Sequence, residues 1–252
     1  MPSELLLLVP LFFVIATCYS AAGFGGGSSY LAVLALVPSL AFEEIKILAL
    51  ICNIIVVSGS VLIFYKNGLI HFKRVWPLIV LSVPFAYLGG RMCLDETLFF
   101  VLLACTLLAA SLLMLLSKPP TSRQLPNYIN SIIGSGIGFL SGMVGIGGGI
   151  FLSPILYLSK WGSAKLIAAC TALFILVNSI AGLTGQLMTN EISLNISFVC
   201  SLGLAVFVGG QLGARLTTIK LNAQKVKTIT ALLILLVALR LLYKYAWLVW
   251  LN

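Results

Sequence analysis

The chain has 252 residues, of which 61% are hydrophobic and only 8% charged. An ordinary soluble domain carries about 25% charged residues, so this composition excludes a water-facing globular surface and directs the chain to a bilayer. The net charge of +9 fits the lysine and arginine excess of cytoplasmic loops in membrane proteins; with no basic cluster in a soluble segment, nucleic-acid binding is excluded.

The first apolar segment, 5–16, precedes Tyr19-Ser20-Ala21-Ala22, which has the form of a cleavage site. A signal peptide opens on positive charge, whereas this chain opens Met1-Pro2-Ser3-Glu4, so the segment is expected to be retained. Gly23-Phe24-Gly25-Gly26-Gly27 then interrupts the run 5–40. Segment 47–65 carries Asn53 and is long enough to cross about 30 Å of hydrocarbon as a helix. Leu88-Gly89-Gly90-Arg91 ends the next helix, and 98–117 is a further span. After a polar connector, 118–127, the run 128–159 is interrupted by Gly145-Ile146-Gly147-Gly148-Gly149. Spans 166–188 (with Asn178), 194–214 and 228–242 follow, and Leu212-Gly213-Ala214-Arg215 answers the earlier arginine. The tail, with Trp247 and Trp250, reads as an interfacial aromatic anchor. Strand alternation is absent, which excludes a barrel. Cys18, Cys52, Cys93, Cys105, Cys170 and Cys200 show no CxxC spacing and read as small buried hydrophobes; no metal site or cofactor is expected.

The recurring marks define a duplication: a first repeat at 1–117, a cytoplasmic connector at 118–127 and a second repeat at 128–252. Charge decides how the repeats are arranged. If each glycine-rich region crosses once, the basic loops fall on both sides. If each is a hairpin of two short helices, Lys66, Lys73, Arg74, Lys118, Arg123, Lys160, Lys165, Lys220, Lys225 and Lys227 share one side. Glu43, Glu44, Asp95, Glu96 and Glu191 then share the other. The positive-inside rule selects the second arrangement, with both termini external. A hairpin plus three spanning helices in each half makes the halves antiparallel. The expected fold is therefore an all-α, multi-pass protein of the cell membrane, built as two inverted repeats.

A run of glycines breaks a helix, which hydrocarbon tolerates only where the backbone is buried in protein or lines a cavity. The helices after each block would present free N–H groups and a positive dipole end at mid-membrane, an environment for an anion. Gly25, Gly26, Gly27, Ser28, Ser29, Gly147, Gly148 and Gly149 are thus candidate substrate-binding residues. Asn53 and Asn178, polar within apolar runs, are candidates to line the same site, with Thr171 and Gln186 as weaker ones. Arg91 and Arg215 are candidate cationic gates, one at each mouth, against the alternative of interfacial snorkelling. His71 lies in a basic loop and reads as solvated. No buried carboxylate marks a proton relay, so a coupling ion, proton or sodium, is not identified by any residue. Missing paired cysteines and histidine clusters argue against an enzyme. The expected function is a secondary transporter for a small anion, the alternative being an anion channel with the same site.

The chain resembles the TauE/SafE (TSUP) family of sulfite and sulfonate exporters. The resemblance rests on Gly23-Phe24-Gly25-Gly26-Gly27, on Gly142-Met143-Val144-Gly145-Ile146-Gly147-Gly148-Gly149-Ile150-Phe151-Leu152-Ser153-Pro154, and on the two Gly-x-Arg helix ends. It covers nearly the whole chain, and the first block lacks a counterpart of Pro154. It implies a sulfur oxyanion or organosulfonate as substrate, of the sulfite, thiosulfate or sulfoacetate type; composition and spacing imply only a small anion.

Overall fold

The computed structural model describes residues 2–92, 96–116, 126–159, 161–189, 194–219 and several positions between 228 and 243. Every regular element among them is a helix: α1 Pro2–Ala21, α2 Gly27–Leu34, α3 Phe42–Lys66, α4 Phe72–Gly90, α5 Glu96–Leu116, α6 Asn127–Val144, α7 Gly149–Leu158, α8 Ala164–Leu187 and α9 Ile196–Ile219. Among the described residues, three stretches are long and apolar enough to cross a membrane: Phe42–Lys66, Lys165–Leu187 and Ile196–Leu216. Leu6, Leu62, Trp76 and Leu204 are exposed on the exterior. So many large apolar side chains facing outward suit hydrocarbon, not water.

The glycine-broken runs form hairpins with unequal arms, not pairs of short helices. α1 and α6 have 20 and 18 residues, whereas α2 and α7 have 8 and 10. Pro10 and Pro154 sit inside helices, so the breaks are set by the glycines alone.

Small residues bring the helices into backbone contact. Gly134, Gly138 and Gly142 of α6 rest on the carbonyls of Leu78, Ser82 and Ala86 of α4, and a Cβ on any of these glycines would collide with the facing oxygen. Both sets advance in steps of four, so α4 and α6 run parallel. Gly209 and Gly213 of α9 rest in the same way on Phe13 and Thr17 of α1. Gly210 and Gln211 meet Val56 and Gly59 of α3, while Gly182 and Gly185 of α8 step along residues 86–91 beside α4. Asn53 of α3 bonds Ser179 of α8, and Lys46 lies near Gln186, so α3 and α8 are antiparallel. α1, α3 and α9 therefore run one way, and α4, α6 and α8 the other. Each hairpin enters and returns on one side of the bundle. The packing also recurs: Gly213 meets Thr17 and Ala21, and Gly89 meets Phe139 and Met143, residues 122 positions further on, the separation of Gly23 from Gly145.

At one end of the bundle the Arg74 guanidinium donates to the Trp161 carbonyl at 2.6 Å and stacks 4.6 Å above its ring, joining the first turn of α4 to the segment before α8. Glu43 and Glu44, in the first turn of α3, lie at the opposite end. His71 is exposed. Cys52 and Cys170 are buried as expected, whereas Cys105 and Cys200 lie on the exposed surface. Cys93, Asp95, the connector residues 118–125, Lys160, Glu191, Lys220, Lys225, Lys227, Trp247 and Trp250 lie outside the described residues; of the closing span, Ala231 and Ala238 are buried in the core.

Candidate functional site

The helices that return from the two turns start on glycines in the left-handed conformation. Gly26 (φ 93°) caps α2 and Gly148 (φ 78°) caps α7, neither with a side-chain cap. A side chain is strained at these angles, which accounts for glycine. The first helical bonds close on the cap carbonyls: Ser29 and Tyr30 donate to Gly26, and Phe151 and Leu152 to Gly148, at 3.0–3.1 Å. The amides of Gly27, Ser28, Gly149 and Ile150 precede these bonds and have no partner within their helices. All four residues are buried.

Asn53 is where both turns meet. It is wholly buried, and its Nδ2 donates to the Ile146 carbonyl at 3.2 Å and to Ser179 Oγ at 3.1 Å. A Cβ on Gly25 would collide with Asn53 Oδ1. One on Gly27 would lie 3.2 Å from Asn53 Nδ2 and 3.3 Å from Ile146 Cα, and one on Gly147 would lie 2.5 Å from both Asn53 Nδ2 and Ser179 Oγ. Gly149 faces Ile175 and Thr171. Asn53 Oδ1, Ser28 Oγ, Ser141 Oγ and Thr171 Oγ1 are buried without a hydrogen bond, whereas Ser29 Oγ donates to the Tyr19 hydroxyl at 2.7 Å. Buried polar groups are normally satisfied, so these unpaired atoms around two helix starts have hydrogen-bonding capacity to spare for a polar guest. Amide and hydroxyl donors converging at two positive dipole ends suit an anion.

The structure brings Gly25, Gly27, Gly147 and Asn53 together directly. Gly26 and Gly148 pack instead against Tyr30 and against Ile137, Phe174 and Ser141. Asn178 is buried, but its Nδ2 turns back to the Phe174 carbonyl of its own helix at 2.8 Å, and Oδ1 has no hydrogen bond. The 122-residue displacement puts Ile175, not Asn178, in the place corresponding to Asn53, so the centre is asymmetric. Arg91 and Arg215 are exposed. Arg91 follows α4 with its guanidinium 5.9 Å from the Tyr87 ring, and neither arginine is among the groups packed on the glycine turns. Sequence reading missed Ser179, Ser141 and Lys46. Ser179 adjoins the Asn178 that was singled out, and Lys46 stands one residue before the apolar run 47–65. An apolar groove of about 540 Å³ between α4 and α8, lined by Pro84, Tyr87, Val177 and Thr184 among others, lies apart from this centre.

Apolar helices of spanning length, an apolar exterior and two broken helices meeting over a polar centre define a helical membrane protein. Residues 8–241 match the sulfite exporter TauE/SafE family. The chain is 33% identical over 250 residues to a probable membrane transporter protein of Sinorhizobium fredii, covering 96% of this chain and all of that one. It is 26% identical over 208 residues to a probable membrane transporter protein of Methanocaldococcus jannaschii, covering 74% of this chain and 75% of that one. The chain belongs to the TauE/SafE sulfite exporter family and is a membrane transporter.

Proposed function

We propose that the protein is a secondary transporter of the cell membrane that carries a small sulfur oxyanion or organosulfonate, of the sulfite, thiosulfate or sulfoacetate type, by alternating access. The substrate sits at the meeting of the two glycine turns, held by the amides of Gly27–Ser28 and Gly149–Ile150 and by Asn53. The observation that carries this reading is Asn53 itself, a wholly buried amide that touches both turns. The family description, sulfite exporter, supports the substrate class.

The halves 1–117 and 128–252 form inverted repeats in this reading. The opposed directions of α3 and α8, and the recurrence of contacts after 122 residues, support it. The end holding Arg74 and Trp161 is cytoplasmic by the positive-inside rule. Arg91 and Arg215 serve as cationic mouths, drawing anions toward the centre. A packed centre with no side-chain space at Gly25 or Gly147 favours a carrier over a channel.

Uptake of labelled sulfite, thiosulfate and sulfoacetate into proteoliposomes, with and without proton or sodium gradients, tests the proposal. Saturable uptake and counter-flow of one of these anions are expected. Saturable transport of a cation or a neutral solute, with no anion flux, would overturn it.

A further inference from the structure

Beside the second glycine turn, toward the end that carries Glu43, the bundle buries an ammonium and an amide, whereas the corresponding positions beside the first turn are apolar. Lys46, in the second turn of α3, is 2% exposed; its ammonium pairs with Glu43 at 2.5 Å and lies 4.6 Å above the Phe42 ring. Lys46 stands seven residues before Asn53, hence on the same face of α3 and about 10 Å away at 1.5 Å per residue. A Cβ on Gly145 would lie 3.6 Å from both Lys46 Cβ and Gln186 Nε2. Lys46 and Gln186 thus flank the second glycine turn just before it reaches Asn53 and Ser179. Gln186 is itself buried and donates to the Gly142 carbonyl at 3.3 Å.

At the opposite end the 122-residue displacement puts Ala168 in place of Lys46 and Phe64 in place of Gln186. There Gly23 is pressed onto α8, where a Cβ would lie only 2.5 Å from the Ala168 carbonyl oxygen. Phe64, Ala168, Ala169 and Ala172 close over that end as a buried apolar cluster. An ammonium is costly to bury, and within a membrane helix it marks function.

We propose that Lys46 is a substrate-binding residue on the acidic-end approach to the centre. Its ammonium exchanges the Glu43 carboxylate for an incoming small oxyanion and passes that anion along the face of α3 to Asn53. The proposal rests on the reading of the centre as an anion site, and it assigns the two ends of the path different chemistry.

Sulfite binding to the purified full chain, measured by titration calorimetry, tests it in wild type, Lys46→Gln, Lys46→Arg, Glu43→Gln and Asn53→Leu. A charge-assisted contact predicts that Lys46→Gln weakens binding by about tenfold or more and that Lys46→Arg largely restores it. Glu43→Gln should tighten binding, because it removes the anion that competes for the lysine. Tightening cannot arise from misfolding, so this variant separates a binding lysine from a structural ion pair. Weaker sulfite binding in Glu43→Gln, or wild-type affinity in Lys46→Gln beside loss in Asn53→Leu, overturns the proposal and leaves the central site standing. Loss in Lys46→Gln beside wild-type affinity in Asn53→Leu overturns the central site, and with it the transfer from Lys46 to Asn53.

Discussion

Gly147→Ala probes the centre with one methyl group, and Gly68→Ala is its internal control. Both glycines have positive φ, 72° and 67°, so both variants incur the left-handed penalty of about 1–2 kcal/mol. They differ in their surroundings. A Cβ on Gly68 has nothing within 4 Å, whereas one on Gly147 would lie 2.5 Å from Asn53 Nδ2 and Ser179 Oγ and 2.7 Å from Ile175 Cγ2. Asn53 must then withdraw and forfeit its bonds to Ile146 and Ser179, at about 0.5–1.5 kcal/mol each. Gly147→Ala should therefore be less stable than Gly68→Ala by roughly 1–3 kcal/mol. Its sulfite affinity should fall by about tenfold for each 1.4 kcal/mol lost from the site, while Gly68→Ala binds as wild type. Thermal unfolding in detergent, with and without sulfite, reads both quantities, since a ligand of the folded state raises the melting temperature. Equal stability and equal sulfite shifts in the two variants would refute the assignment of the turn and Asn53 to one site.

Asn53→Leu should abolish sulfite uptake into proteoliposomes, whereas Asn178→Leu, which loses only a bond to its own helix, should reduce it several-fold at most; the reverse order would move the site to α8. Arg91→Gln and Arg215→Gln should raise KM for the anion more than the lysine variants do, and unchanged kinetics in both glutamine variants would make the arginines interfacial anchors. In a cysteine-free variant, single cysteines at Lys66 and Lys165 should react with an impermeant thiol reagent from the same side and one at Glu44 from the other; labelling of Lys66 and Lys165 from opposite faces would refute the hairpin arrangement.

The helical class, the glycine breaks and the same-side hairpins were legible because each depends on a local feature: apolar length, residues that break a helix, and loop charge. The unequal hairpin arms were not. Run length fixes only the total, and α1 continues through Pro10 up to the turn. The parallel pairing of α4 with α6 was hidden too, because Gly134, Gly138 and Gly142 declare a close-packing face without naming the helix that fills it. Asn53 was visible as a polar residue in an apolar run, but its pairing with Asn178 was not a structural correspondence. That register follows from three-dimensional contacts of Gly25 and Gly147, which place Ile175 at the corresponding point. Lys46 was missed because a charge at the edge of an apolar run looks like its boundary. In the structure α3 begins at Phe42, which takes the lysine one turn inside the helix and into the core.

The packing also limits which bodies can move in a transport cycle. The tightest backbone contacts join different halves of the sequence: α6 to α4 through Gly134, Gly138 and Gly142, and α1 to α9 through Gly209 and Gly213. A motion that separated residues 1–117 from 128–252 would have to part both of these seams, where backbone meets backbone with no side chain between. Such interfaces are bistable or rigid, not smoothly deformable. The contacts at the centre are different in kind. Asn53 reaches Ile146 and Ser179 through side-chain hydrogen bonds of 3.1–3.2 Å, and several neighbouring polar atoms have no hydrogen bond. An entering anion can take the place of the Ile146 carbonyl and of Ser179 Oγ as acceptor from Asn53 Nδ2, and the Ser179 hydroxyl can then donate to it. Gly90 on Gly182 and Gly185 on Tyr87 hold α8 to α4 backbone to backbone as well. In the alternating-access cycle we propose, the units that rock would be α4 with α6 and α8, and α1 with α9, and the α3–α8 crossing at Asn53 would be the surface that opens.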